Sequence, residues 1–204
     1  NLGKNSKYNR HLRHPIRLYY GDWNEDGIMD LFECYLDSAR GAYVPFLTLD
    51  VLRQQLPNLA FKFSTFEEYS NATIENILAD AYPVSNFLEV NQSESSVFLN
   101  KGNHFESRAL PDEAQMAPAF GIAVNDFDCD GNEDLFLSQN FFGVDPETSR
   151  YDAGRGLLLK GDGQGKFKAI SGQTSGIILY GEQRGTAVCD FNHDGRPDLA
   201  VAQN

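Results

Sequence analysis

The stretch Ile122-Ala-Val-Asn-Asp-Phe-Asp-Cys-Asp-Gly-Asn-Glu-Asp-Leu135 leads a short apolar run into nine residues with aspartate at positions one, three, five and nine. Glycine holds position six. Two other stretches align with it without gaps: Leu18-Tyr-Tyr-Gly-Asp-Trp-Asn-Glu-Asp-Gly-Ile-Met-Asp-Leu31 and Thr186-Ala-Val-Cys-Asp-Phe-Asn-His-Asp-Gly-Arg-Pro-Asp-Leu199. An aromatic residue occupies the second position each time (Trp23, Phe127, Phe191), and leucine follows the ninth (Leu31, Leu135, Leu199). Three copies in one register make this a repeat protein.

The residue types at this spacing point to calcium. Calcium takes six to eight oxygen ligands at flexible angles, which favours Asp, Asn and backbone carbonyls. In a tight loop, side chains at positions one, three and five face one ion. The glycine at position six (Gly27, Gly131, Gly195) permits the turn. Position seven then offers a carbonyl, and position nine returns a carboxylate. The expected ligands are Asp22, Asn24, Asp26, the Ile28 carbonyl and Asp30 in the first loop. In the second they are Asp126, Asp128, Asp130, the Asn132 carbonyl and Asp134, and in the third Asp190, Asn192, Asp194, the Arg196 carbonyl and Asp198. With four carboxylates, the second loop is expected to bind most tightly. Magnesium is disfavoured by the number of ligands each loop offers. The first loop also satisfies the EF-hand pattern, with Glu33 at position twelve. Position twelve is Leu137 and Val201 in the other two loops, and strands flank all three, so the EF-hand reading fails.

The strands leaving the loops read as Leu135-Phe-Leu-Ser-Gln139 and Leu199-Ala-Val-Ala-Gln203. Between the loops a second element repeats: Val97-Phe-Leu-Asn-Lys-Gly-Asn-His-Phe105 resembles Leu158-Leu-Lys-Gly-Asp-Gly-Gln-Gly-Lys-Phe167, and both read as strand, glycine-rich hairpin, strand. Loop and hairpin together give four strands, the content of one propeller blade. The fold expected is therefore all-β: blades of four antiparallel strands in a partial β-propeller of about two and a half to three blades. Blade one spans about 16–110, blade two about 118–172, and a partial blade three about 184–204. Within blade one, residues 46–80 change to helical spacing, and Thr65 with Glu68 gives the pattern of a capping box, so a short helical insertion is expected there. Two and a half blades do not close a ring, and the remaining blades are expected to lie outside this chain.

The formal net charge is −12, and ten of the 17 aspartates fall in the three loops, so the acidity is largely ligand charge. Such a balance argues against nucleic acid and against an anionic membrane surface. No apolar run is long enough to cross a bilayer. Cys34, Cys129 and Cys189 have no CxxC spacing and read as semi-buried free thiols, with a disulfide as the alternative.

The loops, with the Leu-x-Asn/Lys-x-Gly…Phe hairpins, resemble FG-GAP/VCBS repeats, the blades of integrin α-subunit propellers. Leu110-Pro…Ala114-Gln115, Asn140-Phe-Phe-Gly-Val-Asp-Pro-Glu147, and Arg150-Tyr-Asp-Ala-Gly154 with Leu158-Leu-Lys-Gly-Asp162 are similar to bacterial VCBS-repeat proteins related to cartilage acidic protein. The resemblance covers most of residues 16–204. It implies a β-propeller, usually seven-bladed, that is extracellular, displayed on the cell surface or periplasmic. It also implies up to three Ca2+ ions, one per loop, between the first two strands of a blade. The FG-GAP phrase itself is only echoed, by Phe120-Gly121 and Ala117-Pro118.

His11, His14, His104 and His193 accompany no nucleophile motif, phosphate loop or His-metal spacing. The expectation is a non-catalytic calcium-binding module that engages a protein or glycan, with residues 46–80 and Phe141 to Gly156 as candidate partner surfaces. The alternative is part of a lyase-like enzyme acting on polysaccharide, which needs a Lys, Arg or His in a cleft near a calcium ion.

Overall fold

The computed structural model describes residues 2–204, with 34% of residues in strands and 19% in helix, so the chain is mostly β and not all-β. Its strands form antiparallel sheets of four, four, two and two strands. The chain divides into two compact units: residues 8–92, and residues 93–204 with the N-terminal residues up to Lys7.

In the first unit β1 (Ile16–Gly21) and β2 (Asp30–Asp37) flank the first loop and pair antiparallel, with Tyr19 opposite Phe32. The sheet is completed by β3 (Ala42–Pro45) against β2 and by β4 (Asn86–Val90) against β1, in the order β3-β2-β1-β4. This departs from the expected blade, which used the hairpin Val97–Phe105 as its outer half. The local turn wins here: Gly41 at φ 65° reverses the chain after β2, so β3 pairs at once with the strand it has just left. Closing a short loop costs less entropy than waiting for a distant hairpin.

Between β3 and β4 lies the helical insertion: α1 (Leu49–Gln55), α2 (Pro57–Ala60), α3 (Phe66–Ser70) and α4 (Ile74–Leu78). The Thr65 hydroxyl accepts the Glu68 N–H, and the Glu68 carboxylate accepts the Thr65 N–H. A second such box joins Thr73 and Asn76 at the start of α4. The helices bury Leu49, Leu52, Ile74, Ile77 and Leu78 against Tyr19, Phe32 and Cys34, so this unit's core lies between the insertion and one face of its sheet. Burial of that many large side chains, at about 1.5–3 kcal/mol each, is what holds such short helices in place.

The second unit contains β5 (Ser96–Asn100) and β6 (Phe105–Ala109), a hairpin forming its own two-stranded sheet. Next come β7 (Ala119–Asn125), β8 (Asp134–Gln139), β9 (Leu157–Gly161) and β10 (Phe167–Ile170), a four-stranded meander as the repeat pattern predicts. The one-turn helix α5 (Gly172–Ser175) leads towards β11 (Gln183–Cys189), which pairs with β12 (Asp198–Gln203) across the third loop. Leu110, Ala114, Leu137 and Leu159 form the buried cluster, with Leu135 and Phe167 packed against it. The buried Gln115 amide caps that cluster, giving its nitrogen to the Ser95 and Leu110 carbonyls and accepting the Ser95 N–H.

Candidate metal centre

All three loops turn between paired strands: β1–β2, β7–β8 and β11–β12. Each is held by the same hydrogen bonds. The position-one aspartate accepts two backbone N–H groups, from positions five and six. These are Asp26 and Gly27 on Asp22 (3.1 and 2.9 Å), Asp130 and Gly131 on Asp126 (3.0 and 2.8 Å), and Asp194 and Gly195 on Asp190 (3.0 and 2.9 Å). The position-five aspartate accepts the N–H of position seven: Ile28 at 2.7 Å, Asn132 at 2.8 Å and Arg196 at 2.8 Å. The position-nine aspartate reaches back to the N–H of position two: Trp23 at 3.0 Å, Phe127 at 3.1 Å and Phe191 at 2.9 Å.

Positive φ falls at the same two places in each loop. The position-six glycines lie at 84°, 88° and 83°, and a Cβ on any of them would meet nothing within 4 Å. Their role is therefore conformational, not steric. Position four, which varies freely in sequence, is also left-handed: Glu25 at 61°, Cys129 at 60° and His193 at 60°. A non-glycine residue pays for that conformation, on the order of 1 kcal/mol, and nothing in the residue types of this position betrays it.

Position three distinguishes the second loop. In the first and third loops the asparagine oxygen accepts the N–H of position five (3.1 and 3.0 Å), while its amide nitrogen donates to Oδ2 of the position-five aspartate (2.9 and 3.1 Å). In the second loop Asp128 has no such donor. Lys160 of β9 takes that place, its ammonium bonded to Asp128 Oδ2 and lying 2.7 Å from Asp130 Oδ2. Hydrogen bonds to these two carboxylates hold the Lys160 ammonium above the ordinary lysine range, and Lys160 in turn holds Asp130 below the usual carboxylate range. Lys160 is the residue that sequence reading missed, because its link to the loop runs through strand pairing and not through spacing.

Among the described residues, Asp126, Asp128 and Asp130 form a group whose carboxylate oxygens lie within 4.8 Å of one another. Asp134 stands outside this group and is buried, its Oδ1 accepting the Gly161 N–H at 2.8 Å. In the first loop burial raises the Asp30 carboxyl despite the Trp23 N–H, with Asp26 and Asp22 adding to the rise. The donor set fits a hard divalent cation. Every oxygen named has a second lone pair, and the three closely held carboxylates of the second loop attract positive charge. Glu33, the false position twelve, accepts the Tyr8 hydroxyl at 2.6 Å.

The histidines take local roles. His11 stacks on Tyr35 at 3.8 Å between ring centres, and burial together with Arg10 lowers its pKa. His104 bonds its neighbour Asn103, and His193 sits at the left-handed position of the third loop. All three cysteines are free; Cys34 is buried, whereas Cys129 and Cys189 are exposed.

At the ends of β8 and β11 remote from the aspartate-rich loops, a second ordered surface forms. Buried Asn140, at φ 87°, donates to the Gly154 and Gly181 carbonyls and accepts the Gly154 N–H. This fixes the segment following β8. Glu182 accepts the Phe142 N–H at 2.8 Å and pairs with Arg184, whose guanidinium lies 4.2 Å from the Phe120 ring centre and 5.2 Å from that of Phe141. Arg150 lies over Phe142 and Arg155 over Tyr180. Among the described residues no helix is long and apolar enough to cross a membrane. Comparison with family models, with curated proteins and with solved structures finds no match to this chain.

Proposed function

We propose that this chain is a calcium-binding, non-catalytic module of FG-GAP/VCBS type, part of a β-propeller working outside the cytoplasm and engaging a protein or glycan. The observation that carries the calcium reading is the threefold recurrence of one loop geometry, with Asp at positions one, five and nine and Asp or Asn at position three. Chance acidic turns do not reproduce the same two left-handed positions and the same aspartate-to-backbone bonds at three separate places. Each loop bridges two paired strands, so an ion bound there would tie those strands together and add its binding energy to the fold.

The surface best suited to a partner is the arginine–aromatic cluster of Phe120, Phe141, Phe142, Arg150 and Arg184. Rings backed by guanidinium groups offer flat apolar area with hydrogen-bond donors at its rim, a combination common in recognition sites.

Calorimetric titration of the metal-free chain with calcium tests the reading. The expected result is binding of up to three ions per chain, weakened at the second loop by Asp130→Ala and much less by Cys129→Ser. Equal losses in the two variants would refute the ligand assignment. Screening the calcium-loaded chain on glycan and protein arrays, with Arg184→Ala as the control, tests the partner surface.

A further inference from the structure

Oδ2 of the position-five aspartate accepts a side-chain donor in every loop. In the first and third loops that donor is the neutral amide of Asn24 or Asn192, supplied from within the loop. In the second loop position three is itself a carboxylate, and the donor is a cation brought in from another strand. The delivery is built into the sheet: β9 pairs with β8, and the Gly161 N–H bonds Asp134 at 2.8 Å, so the adjacent Lys160 is anchored at the loop. Its ammonium then bridges Asp128 and Asp130, two of the three carboxylates that lie within mutual reach.

We infer that Lys160 is a tethered counter-ion of the second loop, competing with a divalent cation for Asp128 and Asp130. This inference rests on the calcium reading of the loops. An arriving ion needs the oxygens that the ammonium holds, and two cations cannot share them without strong repulsion. Binding at the second loop therefore includes the displacement of Lys160, and the four-aspartate loop binds less tightly than its charge alone implies. The same pairing quiets the repulsion among Asp126, Asp128 and Asp130 when no ion is bound.

The test uses the full chain carrying Asp26→Asn and Asp194→Asn, which weaken the first and third loops, and titrates calcium by calorimetry. Lys160→Met should tighten binding on the order of 3- to 10-fold, the range expected from removing exposed ion pairs. Lys160→Gln should do the same, and Lys160→Arg should stay within about twofold of the parent. Lys160 faces Lys168 across the β9–β10 pair, so neutralising one of two like charges does not weaken that strand pairing. Unchanged or weaker binding in both neutral variants would overturn the inference and leave the calcium reading standing. No calcium binding in any variant would overturn both.

Discussion

Asp134 is joined to Gly161 across the sheet: the Gly161 N–H donates to Asp134 Oδ1 at 2.8 Å, while Oδ2 of the same carboxylate accepts the Phe127 N–H at 3.1 Å. One buried side chain thus closes the second loop and ties it to the neighbouring strand. A Cβ at position 161 would lie 2.1 Å from the Glu133 carbonyl oxygen, a backbone atom that cannot swing aside. Gly161→Ala is therefore expected to displace β9 from the loop and cost roughly 2 kcal/mol or more. Urea unfolding of the variant measures this, and a loss near zero would mean that the strand has room to yield.

Thiol labelling separates the three cysteines. Burial pushes the Cys34 thiol well above its ordinary value, while Cys129 and Cys189 are exposed. In the native chain at neutral pH an alkylating reagent is expected to modify Cys129 and Cys189 and to spare Cys34 until denaturant is added. Calcium should slow the reaction at Cys129, which sits between two proposed ligands. Fast native labelling of Cys34 would contradict the packing of the first unit's core.

Acid should act on Glu182. The Phe142 N–H, the Asn204 amide and Arg184 hold its carboxyl below the usual range, so its folded pKa is lower than its unfolded one. Such a group stabilises the fold above the ordinary carboxylate pKa, and the contribution fades as pH falls through the folded value. Glu182→Gln is thus expected to lower the melting temperature at neutral pH, with the gap to the parent closing below roughly pH 4. A gap independent of pH would assign Glu182 a packing role only.

Much of this was legible in the residues. The loops, the strands beside them, both hairpins and the capped insertion follow from short-range chemistry: Asx bonds, glycine turns, period-two patterning and the Thr65–Glu68 box. What escaped depends on long-range pairing. The strand Asn86–Val90 is exposed at every residue, so no buried alternation marks it, and only its pairing with β1 makes it a strand. The hairpin Val97–Phe105 has the right turn chemistry, but nothing local says which sheet it joins. Lys160 was invisible as a partner of the second loop for the same reason. The left-handed state of Glu25, Cys129 and His193 is imposed by the hydrogen bonds around them and not by their own preferences.

Thermal unfolding of the metal-free chain, with and without calcium, tests the central claim most directly. Because the loops present their oxygens together only in the folded state, excess EDTA is expected to lower the midpoint by several degrees, and millimolar calcium to restore it. A transition indifferent to both additions would contradict calcium as a structural element of this fold.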